Sequence, residues 1–433
     1  MATALSRIER LPLAQPECRI AIVGFGTVGN AVARLLHSRR DDYPLRLTHI
    51  CNRNIARKQA SWVGRDVLWT EDWRQMLDSD ADVIVELMGG LEPAHQLVRE
   101  ALQSGKSVVT ANKQLIARFG TELLQLASDN GQYLGFGACV AGGVPVLTAL
   151  QDGLGGDRLI QLCGILNGTC NYILTRIEQA GSSFAEALAE AQQAGFAEAD
   201  PTADLDGYDE AAKLAILARV GLRIDVPSEH VICRSIRNIA ATDFDYAHEL
   251  GCTIRQISTA TLHEGQAYLA VQPSLVPLAS PFAAVTGSQN IVVSSGEFGG
   301  ETTFGGLGAG GNPTAVAVVS DLLQAARNCG CGGRTANHVS AAACQITNHL
   351  EAPQYLRFIV RDRPGVIAQI AGVLAQHHIN LDAVLQKPGH NKSALPFVIT
   401  LESCRQSSLE AALCEISGFD FLVQTPLSMP IVK

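Results

Sequence analysis

Apolar and polar positions along the first third of the chain switch between two periods. Short apolar runs at 20–23, 45–51, 83–87, 107–110 and 133–136 have the length and β-branched content of buried strands. Between them, 27–37, 93–104 and 113–130 repeat apolar residues three and four apart, as on one face of a helix. Strands alternating with helices predict βαβ units and a parallel sheet over 18–143. The pattern changes after Ala141-Gly142-Gly143-Val144-Pro145. Helical periodicity spans 184–220, and strand-like stretches follow at 268–271 and 290–294, which predicts an α+β domain over 144–312. Residues 305–311 read as a glycine loop, and 313–328 as a helix that completes the first domain. Residues 329–352 read as a linker and 1–17 as a lead-in. A third domain, 353–433, opens with a strand at 355–360 and a Pro364-Gly365 turn. A helix follows with Ile367, Ile370, Ala371 and Leu374 on one face, then strands at 379–386 and 395–401.

Composition narrows the class. With 433 residues, 47% hydrophobic and 17% charged, the chain can bury the cores of several domains. A net charge of -9 argues against nucleic acid or an anionic membrane as the main partner. No uninterrupted apolar run approaches the ~18 residues of a membrane span. The start of the chain, with Arg7, Glu9 and Arg10, lacks the apolar stretch of a secretory signal. The 12 cysteines include no C-x-x-C pair, Cys329 and Cys331 being nearest, and Cys139 and Cys163 stand in apolar surroundings. Buried reduced thiols in a cytoplasmic protein are expected.

The first strand runs into Gly24-Phe25-Gly26-Thr27-Val28-Gly29 and then a helix. Gly24 permits the tight turn, Gly26 lets the backbone approach a pyrophosphate, and Gly29 lets helix and strand pack closely. The helix start offers free N–H groups to the phosphates, so a dinucleotide-binding, Rossmann-type domain is expected. The second strand ends at Ile50-Cys51-Asn52-Arg53-Asn54, with no carboxylate at its tip to accept bonds from a ribose 2′-hydroxyl. Arg53 suits a 2′-phosphate instead, which predicts NADP(H) in preference to NAD(H).

Three segments carry candidate chemistry. In the acid-rich stretch 195–209 and the helix after it, Asp209 and Lys213 stand four apart on one face. Ile216 and Leu217 follow on that side, so Lys213 leaves an apolar surface, where a lysine beside a carboxylate can exchange a proton with a carbonyl or carbinol oxygen. An ordinary surface ion pair uses the same spacing. Thr110-Ala111-Asn112-Lys113 closes a parallel strand at the end where open α/β sheets bind ligands. Lys113 there is a substrate or nicotinamide contact, or a plain helix-start lysine. The segment from Gly164 through Asn167-Gly168-Thr169 to Ile173 reads as a polar turn into a helix, either lining a substrate or simply capped. The histidines, including His95 and His377-His378, have no metal-ligand spacing.

In this order, these segments, together with Glu198-Ala199-Asp200-Pro201 and Gly308-Ala309-Gly310-Gly311-Asn312-Pro313-Thr314-Ala315, resemble homoserine dehydrogenase over residues 19–430. The resemblance implies NAD(P)-dependent interconversion of L-aspartate 4-semialdehyde and L-homoserine, toward threonine, methionine and isoleucine. It implies Lys213 as acid/base with Asp209 orienting it, and Glu198, Asp204 and Lys113 on the substrate. Lys113 would also meet the nicotinamide, and Gly310 the cofactor. The family also binds a monovalent cation near its hinge through a glutamate and backbone carbonyls. Gly137 stands at the glutamate's position, leaving the carbonyls of Val140, Gly142 and Val144. The third domain resembles a ferredoxin-like ACT module, βαββαβ. That implies threonine as an allosteric ligand near 362–366, and the whole chain a homodimer or homotetramer with domain 144–312 also serving dimerisation. A non-catalytic sensor of dinucleotide and amino acid, or an oxidoreductase of a related amino-acid aldehyde, are the alternatives.

Overall fold

The computed structural model describes residues 17–329, 341–348 and 351–432, with the Cys329 side chain left aside. The lead-in and most of the expected linker, including Cys331, lie outside the described residues. Two compact units form among these residues, one drawn from 17–112, 122–136 and 318–329, the other from 113–121, 137–317, 341–348 and 351–432.

The first unit is built on β1 (Cys18–Val23), β2 (Leu45–Cys51), β3 (Leu68–Thr70), β4 (Val83–Glu86), β5 (Ser107–Thr110) and β6 (Leu134–Gly135). All pair in parallel in the order β3-β2-β1-β4-β5-β6, the strand order of dinucleotide-binding sheets. Val83 to Glu86 and Ser107 to Thr110 are buried on both faces, which is why they read as unbroken apolar runs. Helix Thr27–Ser38 covers the sheet with Gly29, Val32, Ala33 and Leu36, and Ala94–Gln103 with Leu97, Val98, Ala101 and Leu102. Strand β3 has no signal in the sequence, because its three residues are half-buried or exposed and show no alternation.

The second unit contains a seven-stranded mixed sheet: β7 (Leu159–Ile165), β8 (Ile232–Cys233), β9 (Cys252–His263), β10 (Gln266–Pro277), β11 (Gln289–Gly296), β12 (Gly300–Leu307) and β13 (Gln345–Ile346). Its order is β12-β11-β7-β9-β10-β13, with β8 against β10. Glu264 and Gly265, both at positive φ, make the tight turn that sets the twelve-residue β9–β10 register. The expected glycine loop at 305–311 needs correcting: Gly305, Gly306 and Leu307 pair with Ile291, Asn290 and Gln289, so β12 runs on to Leu307. Glycine composition suggested a loop, but ladder bonds to β11 override it.

Residues from Glu351 onward form β14 (Glu351–Val360), helix Val366–Gln376, β15 (Leu381–Leu385), β16 (Leu395–Arg405), helix Gln406–Ile416 and β17 (Leu427–Pro430). The order is βαββαβ, with an antiparallel sheet β15-β16-β14-β17. Leu356, Phe358 and Val360 face Ile370, Leu374, Leu409 and Ile416 in one core. The other sheet face presents Tyr355, Val398 and Met429, which share a core with Ile173, Tyr246 and Leu275. Alternation along β14 thus serves two cores at once. At this junction Asp243, fully buried, pairs with Arg357 at 2.6 Å and accepts from the Tyr355 hydroxyl at 2.9 Å. Seven of the ten described free cysteines are buried. No described helix is long and apolar enough to cross a membrane.

Candidate active site

Helix Tyr208–Leu217 begins after Gly207, whose φ of +85° turns the chain, and it carries Asp209 and Lys213 inward. The surface-pair reading of that spacing does not hold, since both side chains are nearly buried. Asp209 Oδ2 accepts from Lys213 Nζ at 2.7 Å, and its Oδ1 from Lys113 Nζ at 2.6 Å. One carboxylate therefore sits between two ammonium groups. Burial alone would raise its pKa, but Lys213 and Lys113 hold it well below the ordinary carboxylate range. Burial likewise works against the Lys113 ammonium, yet Asp209 and Asp204 keep its pKa above the usual lysine value.

Lys213 Nζ also donates to the Leu166 carbonyl at 2.7 Å, beside an Asn290 amide bond of 3.0 Å to the same oxygen. An ammonium has three N–H donors. Among the described residues two of those on Lys213 are committed, and the third has no acceptor. The polar turn 166–169, expected to line a substrate or simply to be capped, joins this cluster through its capping residue. Asn167 caps helix Gly168–Ala180 by accepting from Cys170 N at 2.9 Å, while its amide donates to Asp204 Oδ1 at 2.7 Å and Asp209 Oδ2 at 3.1 Å. An Asn immediately before Gly at a strand–helix junction was the available signal. Asp204 has its pKa raised by burial, with the Asn167 bond opposing.

Lys113, Asp204, Asp209 and Lys213 thus meet in one cluster. Glu198 does not join it. It lies exposed in the loop after helix Phe184–Gln193, and its carboxylate makes no hydrogen bond or ion pair among the described residues. Gly310, at φ +120°, belongs to the late glycine loop. That loop lies against the turn at 141–143: a Cβ on Gly142 would stand 2.6 Å from Gly308 O, and Gly143 N–H donates to Leu307 O.

In the parallel-sheet unit the glycines behave as their spacing implies. A Cβ at Gly24, with φ of +106°, would stand 2.4 Å from Leu87 O, and one at Gly29 would stand 2.1 Å from Gly24 O. Around Gly26 there is open space within 4 Å. Phe25 N–H donates to Asn52 Oδ1 at 2.9 Å, so the tip of β2 fixes the loop ahead of Thr27 and Val28. Asn52 was not assigned a role by sequence reasoning. Arg53 is exposed at this tip. The base of the Thr110-Ala111-Asn112 box is secured by fully buried Glu86, which accepts from Thr110 Oγ1 at 2.6 Å and Met88 N–H at 2.8 Å. Burial raises its pKa.

No group of three or more His, Cys, Asp or Glu able to hold a metal occurs among the described residues. Of the carbonyls expected to hold a cation at 140–144, those of Val140, Gly142 and Val144, the last already accepts from Val146 N–H at 2.8 Å.

Family models match nearly all of this architecture. Residues 24–136 match the homoserine dehydrogenase NAD-binding domain, 145–323 homoserine dehydrogenase, and 354–417 the ACT domain. The homoserine dehydrogenase of Bacillus subtilis is 38% identical over 396 residues, covering 88% of this chain and 91% of its own. That of Mycobacterium bovis is 40% identical over 380 residues, covering 85% and 86%. The crystal structure of a homoserine dehydrogenase from Thiobacillus denitrificans superposes with a TM-score of 0.90 at 33% identity, covering 97% and 99%. A hyperthermophilic archaeal homoserine dehydrogenase in complex with NADPH gives 0.62 at 26% identity, covering 71% of this chain and 97% of its own. An NAD(P)-binding sheet, a buried lysine–aspartate–lysine cluster and these likenesses along nearly the whole length place the chain in the homoserine dehydrogenase family, oxidoreductases acting on a CH–OH group.

Proposed function

We propose that Lys213 is the acid–base group in the interconversion of L-aspartate 4-semialdehyde and L-homoserine, and that Asp209 orients it. The observation that carries this is the uncommitted third N–H of a nearly buried ammonium whose other two donors are fixed. A bound nicotinamide supplies the hydride. As negative charge develops on the aldehyde oxygen, Lys213 donates a hydrogen bond and then its proton to that oxygen, leaving an amine that recovers a proton from solvent. Asp209 remains ionised throughout, balancing the charge of Lys113 while Lys213 is neutral. Lys113 and Asp204 contact the substrate, and Glu198, exposed and unengaged, takes its amino group. In homoserine oxidation the same lysine accepts the proton. Lys213→Ala should lower turnover by on the order of a hundredfold or more with little change in cofactor affinity. Near-normal turnover would end the assignment.

The cofactor in this reading is NADP(H) before NAD(H). The reasons are the absence of a carboxylate at 51–54, the exposed guanidinium of Arg53, and the NADPH bound by the archaeal relative. The glycines Gly24, Gly26 and Gly29 with Phe25, Thr27 and Val28 hold its pyrophosphate, and Gly310 contacts it. The ACT module takes threonine near 362–366, where Gly365 at φ +95° turns the chain into helix Val366–Gln376. The reading includes the domain limits 18–143, 144–312 and 353–433, a cytoplasmic homodimer or homotetramer, and a place in threonine, methionine and isoleucine synthesis. Activity measured with and without threonine tests the regulatory part, and no response would sink it.

A further inference from the structure

Glu86 ends β4 with its side chain wholly buried, and the acid–base chemistry gives it no part. Its backbone pairs in register with Val23, the residue before Gly24, on one side and with Thr110 on the other. It therefore stands where the strand order switches from β1 to β4, at the carboxyl end of the sheet, the place where open α/β folds take their ligands. The hydrogen bonds of its carboxyl suit an anion. Oε1 accepts from Met88 N–H at 2.8 Å and, at 3.4 Å, from Gly89 N–H, and Oε2 accepts from the Thr110 hydroxyl at 2.6 Å. Backbone N–H groups can only donate, and 2.6 Å is the length of a hydroxyl bonded to a carboxylate. Thr110 Oγ1 in turn accepts from Asn112 N–H at 3.0 Å. The Asn112 side chain adds a bond that also favours the charged form, so burial alone opposes the charge and four hydrogen bonds support it.

What this carboxylate lacks is a counter-charge. Among the described residues no lysine, arginine or histidine pairs with it. Neutral donors hold the charge without cancelling it, so its field extends beyond the strand end with little water to screen it. The chain leaving β4 keeps that end accessible: Gly89 and Gly90 bear no side chains, and a Cβ on either would meet nothing within 4 Å. The glycine turn sets the cofactor's direction. With the pyrophosphate at Gly24–Gly29 and the adenosine ribose at the tip of β2, the nicotinamide half belongs on the other side of β1, at the ends of β4 and β5. Loss of hydride leaves a positive charge on the nicotinamide ring, whereas the reduced ring is neutral. We propose that Glu86 is a fixed buried anion serving as counter-charge to the oxidised nicotinamide, so that it favours the oxidised cofactor over the reduced one. It acts through its field and exchanges no proton with substrate or cofactor.

This inference rests on dinucleotide binding by the parallel sheet and on no choice between NADP and NAD. The test is equilibrium binding of the oxidised and reduced forms, in both the NADP and NAD series, by calorimetry and by fluorescence of the reduced ring. Glu86→Gln keeps the shape without the charge and should weaken the oxidised form about tenfold more than the reduced one. Equal weakening of the two forms, or none, is what a merely structural carboxyl gives, and it overturns the proposal. Thr110→Val removes a hydrogen bond but not the charge, and should weaken both forms alike. A ratio shifted as far by Thr110→Val as by Glu86→Gln overturns the role of charge. The infrared difference spectrum between wild type and Glu86→Gln at about pH 7 reads the ionisation directly. Carboxylate bands are expected, and a protonated-carboxyl band overturns the proposal. Should Glu86→Gln not fold, Glu86→Met combined with Thr110→Val removes acceptor and donor together and carries the same comparison. A wild-type enzyme that binds neither form overturns the dinucleotide site and this inference together, whereas a ratio unmoved in the variant overturns this inference alone.

Discussion

The buried pair Asp243–Arg357 ties the ACT module to the substrate domain, and its removal offers a quantitative test. Arg357 is 7% exposed and Asp243 not at all. The carboxylate receives Arg357 Nη1 at 2.6 Å, the Tyr355 hydroxyl at 2.9 Å and Ala240 N–H at 2.8 Å, while Arg357 Nη2 reaches Asn238 O at 3.0 Å. Arg357→Met strands a buried carboxylate that keeps two neutral donors but no counter-charge. Asp243→Asn strands a buried guanidinium that keeps one carbonyl. Breaking a buried pair from either side costs about 3–5 kcal/mol, whereas replacing both charges with neutral groups is far milder. The double variant should therefore be more stable than the sum of the singles by at least about 2 kcal/mol. Chemical unfolding of the four proteins, compared by midpoint and slope, measures this coupling. Additivity within about 0.5 kcal/mol, or single losses under about 1 kcal/mol, would show the pair behaves like a solvated one and refute the reasoning.

Three further expectations concern charge and capping. Glu210 binds its proton more tightly folded, with a pKa of about 8, than at its ordinary value of 4.5. The folded state thus holds the extra proton between those limits, and wild-type stability should fall as pH rises from about 4.5 to 8 by up to about 1.4 kcal/mol per unit, a slope missing in Glu210→Gln. Parallel slopes in denaturation experiments would contradict it. Arg53→Ala should weaken NADPH binding about tenfold or more and leave NADH nearly unchanged in titration calorimetry. Asn167→Ala removes a helix cap and two carboxylate bonds. It should lower stability by about 1–2 kcal/mol in thermal melts and reduce kcat more than it changes cofactor affinity.

The residues that were legible from sequence share one property: their chemistry and their periodicity agree. Gly24, Gly26 and Gly29 sit between a buried strand and an amphipathic helix, so both sides confirm the turn. Asp209 and Lys213 are separated by one helical turn, and only their burial, not their spacing, tells an active pair from a surface one. What escaped was written in the wrong alphabet. Strand β9 carries Arg255, Gln256 and Ser258 inside the protein, fully buried polar residues that break the apolar code for an interior strand. Helix Ala241–Glu249 buries Asp243, invisible without its partner more than a hundred residues away. Asn52 and Glu86 act through single bonds to distant backbone or side chains, which local pattern cannot report.

Asn167 gives the catalytic cluster an unusual origin. The same side chain that starts helix Gly168–Ala180 also joins Asp204 to Asp209. Losing that side chain would uncap the helix and release both carboxylates at once. Site assembly is thereby completed when the chain folds rather than when substrate arrives. The entropy of fixing these side chains is absent from the binding step, and an incoming aldehyde meets an arrangement already rigid.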